Sequence, residues 1–310
     1  MDGLAYHTIT DYRPASLVVA RQRTLKAPIG CCGAGLHSGK AVTVRLLSAD
    51  AHAGITFIRT DLGIAIPARF DNVVDTRLCT VLGRGDARVG TVEHLMAALV
   101  AAGLDNVTVE VDGPEIPVLD GSAEPWLFLL DCAGTVEQHA PRRTVDILHP
   151  VRVTDGDAFA ELRPTKGPAG LAMALSIRFE ASAIGHQAYT LEADPAAIRR
   201  DLVRARTFAL RHEIDGLQKA GLARGGSLDN AIVVDGAEVL NPAGLRMADE
   251  FVRHKLLDAV GDLALAGAAL HGRFAGHKSG HALNNRLLHA LFADAANWRA
   301  SAPADARLAA

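Results

Sequence analysis

Three short stretches carry side chains that could do chemistry together. The first is Glu93-His94. On its own, an acid–imidazole pair near a helix start is usually structural, so it needs a partner to mean more. The partner is a run in which His254, Asp258 and Asp262 recur at i, i+4 and i+8, which puts all three on one stripe of a helix. A charged stripe usually marks a solvated face, but such faces use Lys and Glu, and this one is His, Asp and Asp beside Gly261. His254 and Asp258, one turn apart, can both reach one ion. Adding His94 gives two imidazoles and a carboxylate with a position left open, the donor set of a catalytic zinc or ferrous site. Glu93, next to a ligand, is then placed to act as a base on the attacking water. No H-E-x-x-H occurs, so the chain is not an ordinary zincin. The third stretch is Lys278-Ser279-Gly280-His281-Ala282-Leu283-Asn284-Asn285. It puts His281 in the first turn of a helix, where a lone His is more often structural than catalytic. The other ten histidines, His37 among them, show no comparable setting.

These side chains need helices to hold them. Thr91 is expected to cap a helix over residues 92 to about 102, with Leu95, Met96, Leu99 and Val100 on one side and Gly103 at its end. A second helix is expected from about 247 to 266, with Val252, Leu256, Val260 and Leu263 opposite the polar stripe. Ser279 is expected to cap a third, buried through Leu283, Leu287, Leu288 and Leu291. Residues 41–46 alternate as a strand, and so do Val107, Val109 and Val111 against Thr108 and Glu110. The Gly-rich stretch from Gly30 to Lys40 invites a nucleotide-loop reading. It fails: Ala34 stands where a P-loop needs Gly, Ala41 replaces the Ser or Thr after the Lys, and a strand follows instead of a helix. It reads as a β-turn loop.

At 310 residues, two domains are the better expectation. His139-Ala140-Pro141-Arg142-Arg143 breaks the pattern, so a boundary is expected there: an extension over 1–20, domains over 21–138 and 143–298, and a tail over 299–310 rich in Ala, Ser, Pro and Asp. The segment from Leu104-Asp105-Asn106 to Val111-Asp112-Gly113 is echoed from Leu228-Asp229-Asn230 to Val234-Asp235-Gly236. Chance likeness of two strand-and-turn segments is one reading. Two domains of related topology, with a site between them, is the other. A net charge of −3 without long runs of one sign excludes the basic patch of a nucleic-acid binder. Cys31, Cys32, Cys79 and Cys132 form no C-x-x-C and read as reduced thiols of a cytoplasmic protein. Asp2 and Asp11 argue against a signal peptide, and no apolar stretch approaches the ~20 residues of a membrane span. A lipid substrate would have to be met from the water side.

With Thr91-Val92-Glu93-His94-Leu95, the run from Glu250 to Asp258 and the run from Lys278 to Asn285, the chain resembles the UDP-3-O-acyl-N-acetylglucosamine deacetylases of lipid A biosynthesis. Further matching stretches run from Gly30 to Lys40, Ile116 to Ala123, Arg206 to Phe208 and Gly225 to Asp229, so the likeness covers about residues 21 to 298. The resemblance implies an α+β fold of two domains of similar topology, each a sheet packed with helices, with the active site at their interface. It implies zinc, or ferrous iron, on His94, His254 and Asp258. Glu93 is the expected base, His281 the proton donor, Asp262 its orienting carboxylate and Thr207 a hydroxyl for the oxyanion. Cys79, Phe179, Phe208 and Lys255 are expected to line the substrate site, and residues 210–231 to form an acyl-chain passage. The expected reaction turns the acetamide of the acylated UDP-sugar into a free amine and acetate, carried out by a monomer. The chain departs from the pattern in its N-terminal extension and at Ala158, where some relatives place a phosphate-binding Lys. Two other functions fit the same donors: a ferrous oxygenase, which would not need Glu93 or His281, and a metal-free nucleotide-sugar or acyl-chain binding module.

Overall fold

The computed structural model describes residues 20–167 and 170–301. Residues 1–19, most of the expected extension, and most of the expected tail lie outside the described residues. The fold is α+β and is built from one plan used twice. In the first half, Ile29–Ala34, Ala41–Ser48, Val107–Val111, Ile55–Arg59 and Ile64–Pro67 lie side by side in that order. Successive neighbours pair antiparallel, antiparallel, parallel and antiparallel. In the second half Val151–Asp155, Ala158–Arg163, Ala269–His277, Leu171–Arg178 and His186–Glu192 repeat the same order and the same senses.

Parallel neighbours cannot be joined by a hairpin and need a crossover, usually helical. The helices in chain order are α1 (Glu93–Ala101), α2 (Glu124–Ala133), α3 (Pro195–Asp201), α4 (Arg211–Lys219), α5 (Glu250–Leu263) and α6 (His281–Ala293). α1 lies on the crossover of the first half and α5 on that of the second, while α2 and α6 each follow the central strand. Each half also carries one insertion: Val73–Asp75, Val81–Arg84 and Ala87–Val89 in the first, Phe208–Leu210, Ile232–Asp235 and Glu238–Val239 in the second.

This repeat is not the one echoed in the sequence. The counterpart of Val107–Val111 is Ala269–His277, whereas the strand opened by Leu228-Asp229-Asn230 is Ile232–Asp235, which belongs to the second insertion. The echo is chance, and the duplication survives in the order of strands alone.

The core is one continuous apolar body, and α1 and α5 cross inside it. Glu93 through Leu99 of α1 are all buried. α5 hides almost every residue, including Glu250, His254, Asp258 and Asp262. The polar stripe is therefore interior and not a solvated face. The two helices touch at Gly261: a Cβ built there would stand 2.1 Å from the carbonyl oxygen of Glu93, so only glycine allows this approach.

Several local expectations need correcting. Thr91 does not cap α1. It sits at φ +56° and its hydroxyl donates to Glu115 Oε1, leaving Val92 at the N-cap without a side-chain bond. Ser279 does not cap α6 either, because Gly280 holds that position and the Ser279 hydroxyl donates to Asn284 Oδ1. α5 is shorter than expected and ends in a 3-10 turn over Ala264–Ala266. Half of the Gly-rich stretch is strand, Ile29–Ala34, because the backbone of Val44 comes so close that a Cβ on Gly30 would lie 2.6 Å from its oxygen. The segment around residues 138–141 also stays in a strand, Thr135–Pro141, paired with Arg21–Leu25. Pro141 is accommodated at the strand end, where its carbonyl accepts from Gln22. Among the described residues, no helix is long and apolar enough to cross a membrane.

Candidate active site

α1 delivers Glu93 and His94 from its first turn, and α5 delivers His254, Asp258 and Asp262 from three successive turns. The ligand atoms of His94, His254 and Asp258 all lie within 4.8 Å of one another, and all three residues are buried. His94 Nε2 stands 3.6 Å and His254 Nε2 3.3 Å from Asp258 Oδ1. His254 Nδ1 lies 3.1 Å from the carbonyl of Ala205, an acceptor only, so its proton is fixed there and Nε2 presents a lone pair. Burial holds the His254 imidazole down to about 4, in its neutral, ligating form.

Asp258 gives the most direct test of whether an ion fits. Its Oδ2 accepts from Lys255 Nζ at 2.9 Å, while Oδ1 is buried with no hydrogen-bond partner. A buried carboxylate oxygen without a donor is costly unless something cationic meets it. Two imidazole nitrogens converge on that same oxygen, so the donor set suits a divalent ion. Burial works against the Asp258 charge, but His254 and Lys255 outweigh it and hold the carboxyl well below its usual range. Burial also works against the ammonium of Lys255, and Asp258 outweighs it in turn.

Around this cluster lies a second network. His281 Nδ1 sits 3.0 Å from Asp262 Oδ2. Asp262 also accepts from Asn284 Nδ2 at 2.9 Å and from the Thr80 hydroxyl at 2.6 Å. The Thr80 backbone N–H donates to Glu93 Oε2 at 3.0 Å. His281 Nε2 then faces both Glu93 Oε1 and Asp258 Oδ2 at 4.0 Å. Burial opposes the imidazolium, but Asp262 and then Glu93 overcome it and lift His281 to about 9. Desolvation pushes Glu93 above the usual carboxylate range, against the pull of His281.

The remaining predicted residues surround this centre. Phe208 packs edge-on against Phe179 and Phe251, with ring centroids 5.5 and 5.1 Å away, and stands 6.2 Å from the His254 ring. Thr207 spends its backbone on Gly121 and Ile232, and its hydroxyl has no partner among the described residues. Cys79 is buried and its thiol is pushed up by desolvation first, then by Glu93. It lines a cavity of about 460 Å³ together with Leu78 and Val81 of the first insertion and Leu217 and Leu222 of the second. Within the expected acyl passage, α4 buries none of its own residues, so residues 210–231 can wall a passage only together with the first insertion. Beside Ala158, the exposed Asp157 holds Lys278, which supplies a cation near the place where the sequence lacks one.

Two residues escaped sequence reasoning. Thr80 carries no motif of its own, and its importance comes from bonding one carboxylate from each crossing helix. His37 shows no distinctive setting in the sequence, yet both its ring nitrogens are buried without a partner among the described residues. Burial lowers its pKa, Glu115 opposes this, and His281 is near enough to lower it further. The Glu115 carboxylate accepts from the backbones of His37 and Ser38 and from the Thr91 hydroxyl, and so fastens the glycine-rich turn to the loop before α1. Only its place inside the matching stretch from Gly30 to Lys40 could have pointed to His37.

Comparison with known proteins adds to this geometry. A 273-residue alignment shows 50% identity to a UDP-3-O-acyl-N-acetylglucosamine deacetylase of Anaeromyxobacter sp. (strain Fw109-5), covering 88% of this chain and 89% of that protein. The protein of the same name from Phenylobacterium zucineum (strain HLK1) is 50% identical over 282 residues, 90% of this chain and 95% of its own. That from Shewanella loihica (strain ATCC BAA-1088 / PV-4) is 48% identical over 280 residues, 89% and 91% of the two chains. The family match spans residues 22–293, nearly all of both halves and both inserted sheets, and on it the chain belongs to the UDP-3-O-acyl N-acetylglycosamine deacetylase family.

Proposed function

We propose that the chain hydrolyses the acetamide of a UDP-3-O-(3-hydroxyacyl)-N-acetylglucosamine, releasing acetate and the free amine, as a step of lipid A biosynthesis. The observation that carries this is the unpartnered Asp258 Oδ1 facing two imidazoles, with a positioned carboxylate and a raised imidazole beside it. Zinc or ferrous iron held by His94, His254 and Asp258 supplies Lewis-acid polarisation of the amide carbonyl and makes the attacking water more acidic.

The chain's own residues do the rest. Thr80 fixes one oxygen of Glu93, so the other is aimed at the space in front of the cluster. Burial makes Glu93 a stronger base than an ordinary carboxylate, suited to taking the proton of the attacking water. His281, charged at neutral pH and held at Nδ1 by Asp262, offers its Nε2 proton to the departing nitrogen. An amine leaves an amide only once protonated, so the donor is as necessary as the base. The free hydroxyl of Thr207 is available to the oxyanion. Phe179 and Phe208 form an apolar wall beside the cluster for the sugar and the start of its acyl chain. The cavity between the insertions takes the remainder of that chain. One chain supplies every residue, so a monomer suffices, and the four free cysteines favour the cytoplasm.

The experiment is direct. Zinc-loaded protein is incubated with the acylated UDP-sugar, and acetate and free amine are measured. The two should appear in equal amounts. UDP-N-acetylglucosamine lacking the chain should be turned over far more slowly, since each buried methylene is worth ~0.8 kcal/mol. Absence of acetate, or equal turnover of both sugars, would contradict the corresponding part of the reading.

A further inference from the structure

A second cavity lies between the halves, away from the site just described. It is lined by none of the residues assigned to metal, base, proton donor or substrate. Its apolar wall draws on both halves: Ile55 and Leu104 from the first, Met173, Ile198 and Leu270 from the second, and Leu263 at the end of α5. Its volume is about 150 Å³, comparable to a core cavity of about 150 Å³ that stays dry and admits a benzene-sized apolar body.

The mouth is polar and carries an excess of positive charge. Arg142 Nε donates to Asp105 Oδ1 at 2.7 Å, and the Arg23 backbone N–H donates to Asp105 Oδ2, so that carboxylate is already neutralised. Gln22 and Asn106 spend their amide groups on each other and on Pro141, His52 and Gln138. Arg143 is exposed at the same mouth and makes no ion pair among the described residues. The cavity thus offers a mainly apolar pocket, open at a polar mouth, under one uncommitted guanidinium.

We propose that this cavity is a binding site for a short-chain anionic amphiphile, a single alkyl chain of six to eight carbons ending in a carboxylate. The chain enters between the halves and the carboxylate stays at the mouth against Arg143. Guanidinium matches carboxylate in a two-pronged geometry, whereas an alcohol head would gain no charge and a cationic head would be repelled. The site is independent of the deacetylase reading, because nothing in it depends on the metal centre.

The test uses the zinc-loaded full chain and octanoate, followed by calorimetry, with octanol and octylammonium as head-group controls. Octanoate should bind at one site, at least tenfold more tightly than octylammonium. Ala264→Leu and Ala193→Leu each fill part of the cavity from a different segment of the second half, and each should weaken octanoate at least tenfold. Arg143→Met should weaken it by about fivefold at most, the range of an exposed ion pair. Deacetylation without octanoate should stay unchanged in all three variants, which also shows that they are folded. No octanoate binding, or binding undiminished in both cavity-filled variants, would overturn the proposal. Octanoate displaced by the acylated UDP-sugar would place it in the other cavity and overturn it equally. A tenfold gain in affinity on deleting residues 1–19 would assign the cavity to the chain's own N-terminal segment instead.

Discussion

Replacing Gly261 by alanine should disable the site without removing any chemical group from it. A Cβ at this position would meet Glu93 O at 2.1 Å, the Glu93 carbonyl carbon at 2.8 Å and Cα at 2.9 Å. Ordinary contact begins near 3.4 Å, so the start of α1 must retreat from α5 by about an ångström. The obstruction is backbone, which cannot rotate aside. Overpacking of this kind costs about 1–3 kcal/mol, offset in part by the roughly 0.5–1 kcal/mol gained when a helix interior exchanges Gly for Ala. Net destabilisation should therefore be modest, and the protein should still fold. Catalysis has less tolerance. His94 rides on α1 while His254 and Asp258 ride on α5, so the same ångström separates one candidate ligand from the other two and moves Glu93 with it. A misplacement of about 1 Å is worth on the order of 10²-fold in rate. Gly261→Ala should show near-native circular dichroism, a melting temperature lowered by a few degrees, weaker zinc retention on dialysis and turnover reduced at least 10²-fold. Native zinc affinity together with native turnover would refute the claim that this crossing sets the site.

Other perturbations isolate single groups. Glu93→Gln preserves the shape and an acceptor for the Thr80 N–H, so it should retain zinc by metal analysis and lose at least about 10²-fold in kcat. Asp262→Asn removes the charge that lifts His281, so the alkaline limb of kcat/KM should move to lower pH while zinc content holds. The same raised pKa has a consequence for stability. Protonated His281 stabilises the zinc-free fold fully below its unfolded value near 6.5 and progressively less as pH rises through about 9. Thermal melts of zinc-free wild type should fall across that window, and those of Asp262→Asn should fall less. Arg206→Met leaves the buried Glu250, whose two oxygens accept from the Arg206 side chain at 2.8 and 3.1 Å, with only the backbone N–H groups of residues 206 and 246. Breaking a buried pair from one side should cost about 3–5 kcal/mol in urea unfolding, and the native midpoint in that variant would show the pair to be dispensable.

The sequence exposed the centre because its candidate ligands are local to two helices. The i, i+4, i+8 stripe and the Glu-His pair need only helical geometry to be read, and both lie in helices where expected. Strands with clean alternation, such as Val107–Val111, were equally plain because one face is fully buried. The Thr80 link was hidden, since it bonds Asp262 across 182 residues of chain and leaves no periodic trace. The duplication was hidden for a related reason: it constrains which strands pair and in what sense, and many apolar sequences satisfy that. Caps misled where loops carry other duties. Thr91 and Ser279 have the right side chains for capping, but Thr91 is drawn off by Glu115 beyond the next strand and Ser279 by the side chain of Asn284 in the first turn of α6.

The placement of one strand sets the order in which the protein can form as it is made. Ala269–His277 is the central strand of the second sheet, bonded to Ala158–Arg163, Leu171–Arg178 and Thr144–Ile147, yet it is almost the last strand in the chain. The strands of the first half are all made by Pro141, but α1 is buried against α5 and is covered only once the second half is made. The second half must wait, its hairpins holding unpaired edges until residues 269–277 arrive. His281, four residues further on, arrives with the same stretch of chain. A chain cut before residue 269 should therefore lack both the central strand of its second sheet and the imidazole of His281.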